Sequence, residues 1–210
     1  MKTRKIRTAL YNVLPGEKAH ALMAPRPKYI EGVHPCPPVN SAILALIVPF
    51  ENELALPLIK RVNRGKYHGG QIAFPGGKME KEDADALQTA LRECHEEIGV
   101  PEEKVSILGV LSDIYIPLSN FNITPIVGTT LQLPDFILSQ DEVEKVILVK
   151  LRDLFDDRNK TTHSFVRHDH KIIAPGYKIG ENFIWGATAM IIAELEQLMK
   201  TNTFNHLGKL

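Results

Sequence analysis

Three glutamates, Glu93, Glu96 and Glu97, stand at i, i+3 and i+4 in a segment whose apolar residues Leu87, Ala90, Leu91, Cys94 and Ile98 recur at helical spacing. Wound at 3.6 residues per turn, the glutamates fall within an arc of roughly 100° beside that apolar face. Like charges at this spacing cost roughly a few tenths of a kcal/mol per pair even when exposed. A bare E-x-x-E-E also suits a solvated acidic face, so the neighbours decide its meaning. Arg92 lies one turn before Glu96 and can hold a carboxylate by a charge-assisted bond. Pro75-Gly76-Gly77, just upstream, frees the backbone to approach a ligand or lend a carbonyl. A cluster of hard oxygen donors is what Mg²⁺ or Mn²⁺ selects.

The elements that must position these groups follow from pattern. Asp83 to Asp85 suit a helix start and Gly99 its C′ position. Upstream, Ser41 to Phe50 is a continuous apolar run suited to a strand buried on both faces. Leu54 to Arg61 reads as a second strand, with Pro57 arguing for an edge or bulge and Asn52 for a short hairpin turn. The polar stretch Arg61 to Gly70 would in isolation be a solvated loop. Directly before an acidic helix, its Arg61, Arg64, Lys66 and His68 make a phosphate cradle. Gln71 to Phe74 reads as a short strand into the turn. Downstream, Val105 to Ile116, Ile123 to Leu131 and Val143 to Leu151 read as strands, and Thr161 to Ala174 as a hairpin. Trp185 to Met199 reads as a closing helix. At the start, an amphipathic helix with Ile6, Leu10 and Val13 inward leads into a Pro-rich connector, Ala24 to Pro38. The chain is expected to form one domain over residues 1–210, with 1–40 the helix and connector and 41–200 the core.

Composition narrows the function. Lys and Arg number 25 and Asp and Glu 25, so the formal net charge of zero gives no electrostatic case for nucleic-acid or acidic-membrane binding. Two cysteines, Cys36 and Cys94, give no disulfide framework and fit a reducing compartment. No apolar run approaches the ~20 residues of a membrane span, and the basic N-terminus lacks a signal peptide's apolar core. The expected location is cytoplasmic, with a mitochondrial-type leader as the alternative.

The stretch Phe74 to Val100 resembles the Nudix box, G-x5-E-x7-R-E-U-x-E-E-x-G-U, where U is aliphatic. Gly77 matches the first glycine, and Arg92-Glu93-Cys94-His95-Glu96-Glu97-Ile98-Gly99-Val100 matches the second half, with Cys94 in an aliphatic position. Gly77-to-Arg92 is one residue longer than the general pattern, and Asp83 stands where the first Glu belongs. The resemblance implies an α/β (α+β) Nudix fold, a mixed β-sheet sandwiched between α-helices with a catalytic strand-loop-helix. It implies metal-dependent hydrolysis of a nucleoside diphosphate linked to another moiety. Glu93, Glu96 and Glu97 would be the Mg²⁺ or Mn²⁺ ligands, with the Gly77 carbonyl as a possible fourth and Arg92 orienting the carboxylates. The general base is left open between Glu93 and Glu142, which lies on a later loop.

The flanks resemble the coenzyme A diphosphatase branch of that superfamily. Leu58, Arg61, Gly70 and Phe74-Pro75-Gly76-Gly77 match its upstream motif L-L-T-x-R-[SA]-x3-R-x3-G-x3-F-P-G-G, with Ile59, Val62 and Lys66 departing from it. His68-Gly69-Gly70-Gln71 is similar to its H-x-G-Q, and the longer Gly-to-Arg spacing is typical of it. Ser119-Asn120-Phe121 with Thr124 to Gly128, Asp141-Glu142-Val143, and Ile184 to Ala189 resemble its downstream segments. By this resemblance coenzyme A would be cleaved to 3′,5′-adenosine bisphosphate and 4′-phosphopantetheine. Arg61, Lys66, His68, Gln71 and Phe121 would contact substrate. Lys66 keeps charge but loses bidentate geometry. ADP-ribose, dinucleotides and diadenosine polyphosphates are the alternative substrates. A non-catalytic, nucleotide-sensing Nudix domain is the alternative of another class, against which the three intact carboxylates weigh. Homodimers are common in the superfamily, so a homodimer is an open expectation.

Overall fold

Strand β1, Val39–Phe50, is the spine of the fold in this computed structural model, which describes residues 2–26, 36–63, 70–167 and 170–203. Its apolar run from Ala42 to Phe50 is explained by period-two alternation between two covered faces. Ala42, Leu44, Leu46 and Val48 pack into one core with Ala90, Leu91, Cys94 and Ile98 of helix α3, Ala86–Ile98. Ala45 and Ile47 point the other way, into a second core with Ile6, Leu10, Ile191, Ile192 and Leu195. Helices therefore cover both faces of a mixed eight-stranded sheet, as the α/β expectation required.

The edges of β1 explain how the sheet delivers the acidic segment. Glu51 and Asn52 have φ of 47° and 63°, the left-handed pair that a tight type I′-like hairpin needs, and they return the chain as β2, Glu53–Arg61. β2 pairs with β1 only from Phe50↔Glu53 to Val48↔Ala55. Further along the same edge, β4, Gly76–Lys78, pairs antiparallel as Ser41↔Lys78, Ala42↔Gly77 and Ile43↔Gly76. Between them β3, Ile72–Ala73, pairs with the end of β2. On its opposite edge β1 runs parallel to β7, Phe121–Thr129, from Val39↔Phe121 to Ile47↔Thr129. Strands β5, Ser106–Val110, and β6, Ile114–Ile116, pair with β7, and β8, Val143–Lys150, pairs with β2 and leads into the short helix α4, Leu151–Leu154.

Pro57 does not put β2 at the sheet edge. The β8 ladder passes through Pro57↔Leu148, while on the other side the β1 ladder ends at Ala55 and the β3 ladder begins at Ile59. The imino residue, which has no N–H to donate, thus sits in a local gap between two partners. The expected strand over Val105 to Ile116 breaks into β5 and β6 around Leu111 to Asp113.

The N-terminus forms two helices, α1 over Lys2–Leu10 and α2 over Glu17–Met23. Ile6 and Leu10 are buried as expected, but Val13 is 96% exposed because α1 ends at Leu10, so the helical spacing that would turn Val13 inward is gone. Part of the Pro-rich connector, residues 27–35, lies outside the described residues. The predicted hairpin is present as β9, Lys160–Arg167, and β10, His170–Ile179, and extends to β11, Asn182–Trp185. Trp185 therefore ends a strand, where its ring meets Phe165 edge-on at 4.9 Å, and the closing helix α5 begins two residues later, over Ala187–Thr203.

Buried Glu194 fastens α5 to the N-terminal segment and to the β5–β6 connection. It accepts from Gly16 N–H at 3.0 Å and Ser112 Oγ at 2.6 Å, and pairs with His20 Nε2 at 2.9 Å. These bonds hold its carboxyl below the ordinary glutamate value against the upward push of burial.

Candidate active site

The site is built where β4, the turn before it and α3 converge. Asp85 caps α3, accepting from Gln88 N–H at 2.9 Å, and Gly99 ends it in the left-handed conformation at φ 71°. Leu91, Cys94 and Ile98 turn to the core, which leaves Arg92, Glu93 and Glu96 along the flank facing the Gly76–Gly77 turn.

Arg92 is the hub. Nε and Nη2 donate to the two oxygens of Asp83 at 3.0 Å each, and Nη2 also donates to the Lys78 carbonyl at 3.1 Å. Nη1 donates to Glu93 at 3.0 Å and Glu96 at 2.9 Å. All five N–H groups of the guanidinium are thereby used, so its plane and the two glutamates it touches are fixed together. Asp83 is buried and also accepts from Thr89 Oγ1 and Glu80 N–H, both at 2.9 Å. The Arg92 guanidinium holds the Asp83 carboxyl well below the usual carboxylate range. From sequence, Asp83 was read only as a helix-start residue in the place of a Glu. The contact to Arg92 crosses nine residues and the β4–α3 turn, and that distance is why the pairing was missed. Its one signal was the position itself, an acid held in register with Arg92 in the box.

Glu93 lies against Gly77: a Cβ there would overlap its carboxylate, so only glycine admits this approach. Burial pushes the Glu93 carboxyl up, opposed by Arg92, and the neighbouring charges of Glu96 and Glu142 push it further up. Glu97 is fully buried. Its Oε1 accepts from Arg61 Nη2 at 2.6 Å and its Oε2 from Gly76 N–H at 2.8 Å. Burial raises its carboxyl to about 7 against the opposing pull of those two donors. Glu96 is the exposed member, its side chain 55% accessible. The Cys94 thiol beside them is pushed up to about 12 by burial and by Glu97, which makes it inert as a nucleophile.

Among the described residues these carboxylates are not gathered into one cluster of three; Arg92 engages Glu93 and Glu96, and Arg61 engages Glu97. The donor set nevertheless suits a hard cation: carboxylate oxygens packed against a glycine backbone, two of them on carboxyls that burial pushes up.

Glu142 comes to the site through a shift in the β2–β8 ladder between Lys60 and Arg61, beyond which Val62 N–H donates to the Glu142 carbonyl at 2.9 Å. Gln71 lies beside the end of β2, its carbonyl accepting from Arg61 N–H at 3.0 Å. Phe121 sits at the margin on β7, its ring 5.7 Å from Lys78 Nζ. Lys66 and His68, with Arg64 and Tyr67, lie outside the described residues.

Known proteins resemble this chain in sequence and in fold. The NUDIX domain model matches residues 40–168. The chain is 34% identical over 161 residues to an uncharacterized Nudix hydrolase NudL of Enterobacter sp. (strain 638), covering 75% of this chain and 82% of that protein. It is 35% identical over 158 residues to the uncharacterized Nudix hydrolase NudL of Pectobacterium atrosepticum, covering 74% and 80%. The MutT protein of Methanosarcina mazei Go1 is similar in fold, with a TM-score of 0.53 and 16% identity, over 81% of this chain and 99% of that one.

Proposed function

The chain belongs to the NUDIX family of hydrolases, and on that premise we propose that it hydrolyses coenzyme A or its derivatives to 3′,5′-adenosine bisphosphate and 4′-phosphopantetheine. The observation that carries the hydrolytic reading is the saturated Arg92, which fixes Glu93 and Glu96 beside Gly77. The substrate reading is supported by the residues flanking the box, Arg61, Gly70 and Phe74 to Gly77 upstream and Ser119 to Phe121 downstream.

Glu93, Glu96 and Glu97 would hold Mg²⁺ or Mn²⁺, with the Gly77 carbonyl as a further ligand. When bound, the cation would neutralise charge on the diphosphate, orient the scissile bond and make a coordinated water more acidic. Arg92 keeps Glu93 and Glu96 in place without rearrangement, since its own donors are anchored by Asp83 and the Lys78 carbonyl. Glu142, exposed and coupled in charge to Glu93, is the proton acceptor least compromised by service as a ligand. Lys66, His68, Gln71 and Phe121 are the proposed substrate contacts, and Arg61, the fifth residue expected to contact substrate, engages Glu97 and Gly76. Among the described residues no helix is long and apolar enough to cross a membrane, and the free cysteines Cys36 and Cys94 support a reducing, cytoplasmic setting.

A substrate panel tests the reading. With Mg²⁺ or Mn²⁺, coenzyme A is turned over with higher kcat/KM than ADP-ribose, dinucleotides or diadenosine polyphosphates. Preference for ADP-ribose would overturn the substrate while leaving the hydrolase.

A further inference from the structure

Arg61 ends β2, and its side chain, 34% exposed, reaches across to the end of α3. A single nitrogen, Nη2, donates both to Glu97 Oε1 at 2.6 Å and to the Gly76 carbonyl at 3.1 Å. Glu97 Oε2 in turn accepts from Gly76 N–H at 2.8 Å. Guanidinium, carboxylate and peptide thus close a ring around Gly76, the residue whose position sets where the Gly77 carbonyl points. That ring can form because Gly76, at φ 156°, has no Cβ to strike the Ala42 carbonyl. The main chain of Arg61 is equally engaged: its N–H donates to the Gln71 carbonyl and its carbonyl accepts from Gly70 N–H, both at 3.0 Å. Arg61 Nε is buried and finds no acceptor, so it is closed to a phosphate arriving from solvent.

We propose that Arg61 is a positioning residue for the cation site, acting through Glu97 and the Gly76–Gly77 turn instead of gripping the substrate's phosphates. The proposal rests on the assignment of Glu97 and Gly77 as cation ligands made above. Its main consequence is a division between variants. Both side-chain bonds come from one nitrogen, so a lysine ammonium can supply them and glutamine cannot supply the charge. A bidentate phosphate contact would show the reverse pattern, with lysine a poor substitute.

The test is Mn²⁺ titration of the full chain followed by electron paramagnetic resonance, without nucleotide, on wild type, Arg61→Lys and Arg61→Gln. Steady-state kinetics on the preferred nucleotide and thermal melts accompany it. Arg61→Gln is expected to weaken Mn²⁺ binding roughly 10–100-fold, the range typical of lost supports behind metal ligands. Arg61→Lys should recover most of that loss, with KM for nucleotide within about threefold of wild type in both. Unchanged Mn²⁺ affinity with a raised KM in Arg61→Gln would overturn the proposal. Should Arg61→Gln not fold, Arg61→Lys decides: retained Mn²⁺ affinity with retained KM supports the proposal, and retained affinity with raised KM defeats it. Because the titration contains no nucleotide, wild-type protein that binds Mn²⁺ but leaves coenzyme A intact would sink the substrate assignment and not this one.

Discussion

Asp83 grips Arg92 with both carboxylate oxygens, Oδ1 on Nε and Oδ2 on Nη2, each at 3.0 Å. The pair joins the segment after β4 to the middle of α3, and through Nη1 it sets Glu93 and Glu96. Asp83→Ala strands a largely buried guanidinium and removes the acceptor of Thr89 Oγ1 and Glu80 N–H. It should lower unfolding free energy by about 3 kcal/mol and depress kcat with it. Urea denaturation measures the first; an unchanged midpoint would contradict the role.

The same pair gives a pH dependence of definite sign. Asp83 is held below its ordinary value, so its contribution is present above the unfolded carboxylate pKa and disappears as pH falls through the folded one. The stability gap between wild type and Asp83→Ala should therefore be constant near neutrality and shrink below about pH 4. Denaturation curves at a series of pH values would show this.

Glu97 carries the opposite sign. Its folded value, about 7, lies above the ordinary 4.5, so the native state holds a proton that the unfolded state has released. With divalent cations chelated, stability should fall as pH rises from about 5 to 8, by an amount on the order of 2–3 kcal/mol, and Glu97→Gln should flatten that slope. A slope that persists in Glu97→Gln would place the titration elsewhere.

Gly76 and Gly77 are adjacent but should fail differently. A Cβ on Gly76 meets the Ala42 carbonyl and the Ile43 backbone, which cannot yield, so Gly76→Ala should cost several kcal/mol, on the order of 3, of stability. A Cβ on Gly77 meets only the end of the Glu93 side chain, which can swing away. Gly77→Ala should melt near wild type yet lose most of kcat. Equal destabilisation of the two would refute the distinction.

The legible parts of this molecule were those governed by short-range periodicity. β1 and α3 declared themselves because each alternates or winds against a core within one stretch of chain, and the Glu51–Asn52 turn because it is local. Arg92 to Glu96 was readable for the same reason, being one helical turn. What sequence did not disclose were contacts made across the fold. Arg61 with Glu97, and Glu194 with Gly16, His20 and Ser112, unite residues from separate elements, and no spacing rule connects them; Asp83 with Arg92 left only its place in the box as a signal. Val13 and Trp185 were misplaced by a smaller margin, since where a helix ends depends on the packing around it.

The proposed activity is cleavage of the coenzyme A diphosphate with a cation held by Glu93, Glu96 and Glu97. Mass spectrometry of products from coenzyme A and Mn²⁺ tests it most directly, run beside Glu96→Gln, whose exposed side chain can change without disturbing the fold. Wild type should release 3′,5′-adenosine bisphosphate and 4′-phosphopantetheine, and the folded variant neither. Absence of both products from wild type, or their undiminished release by Glu96→Gln, would contradict it.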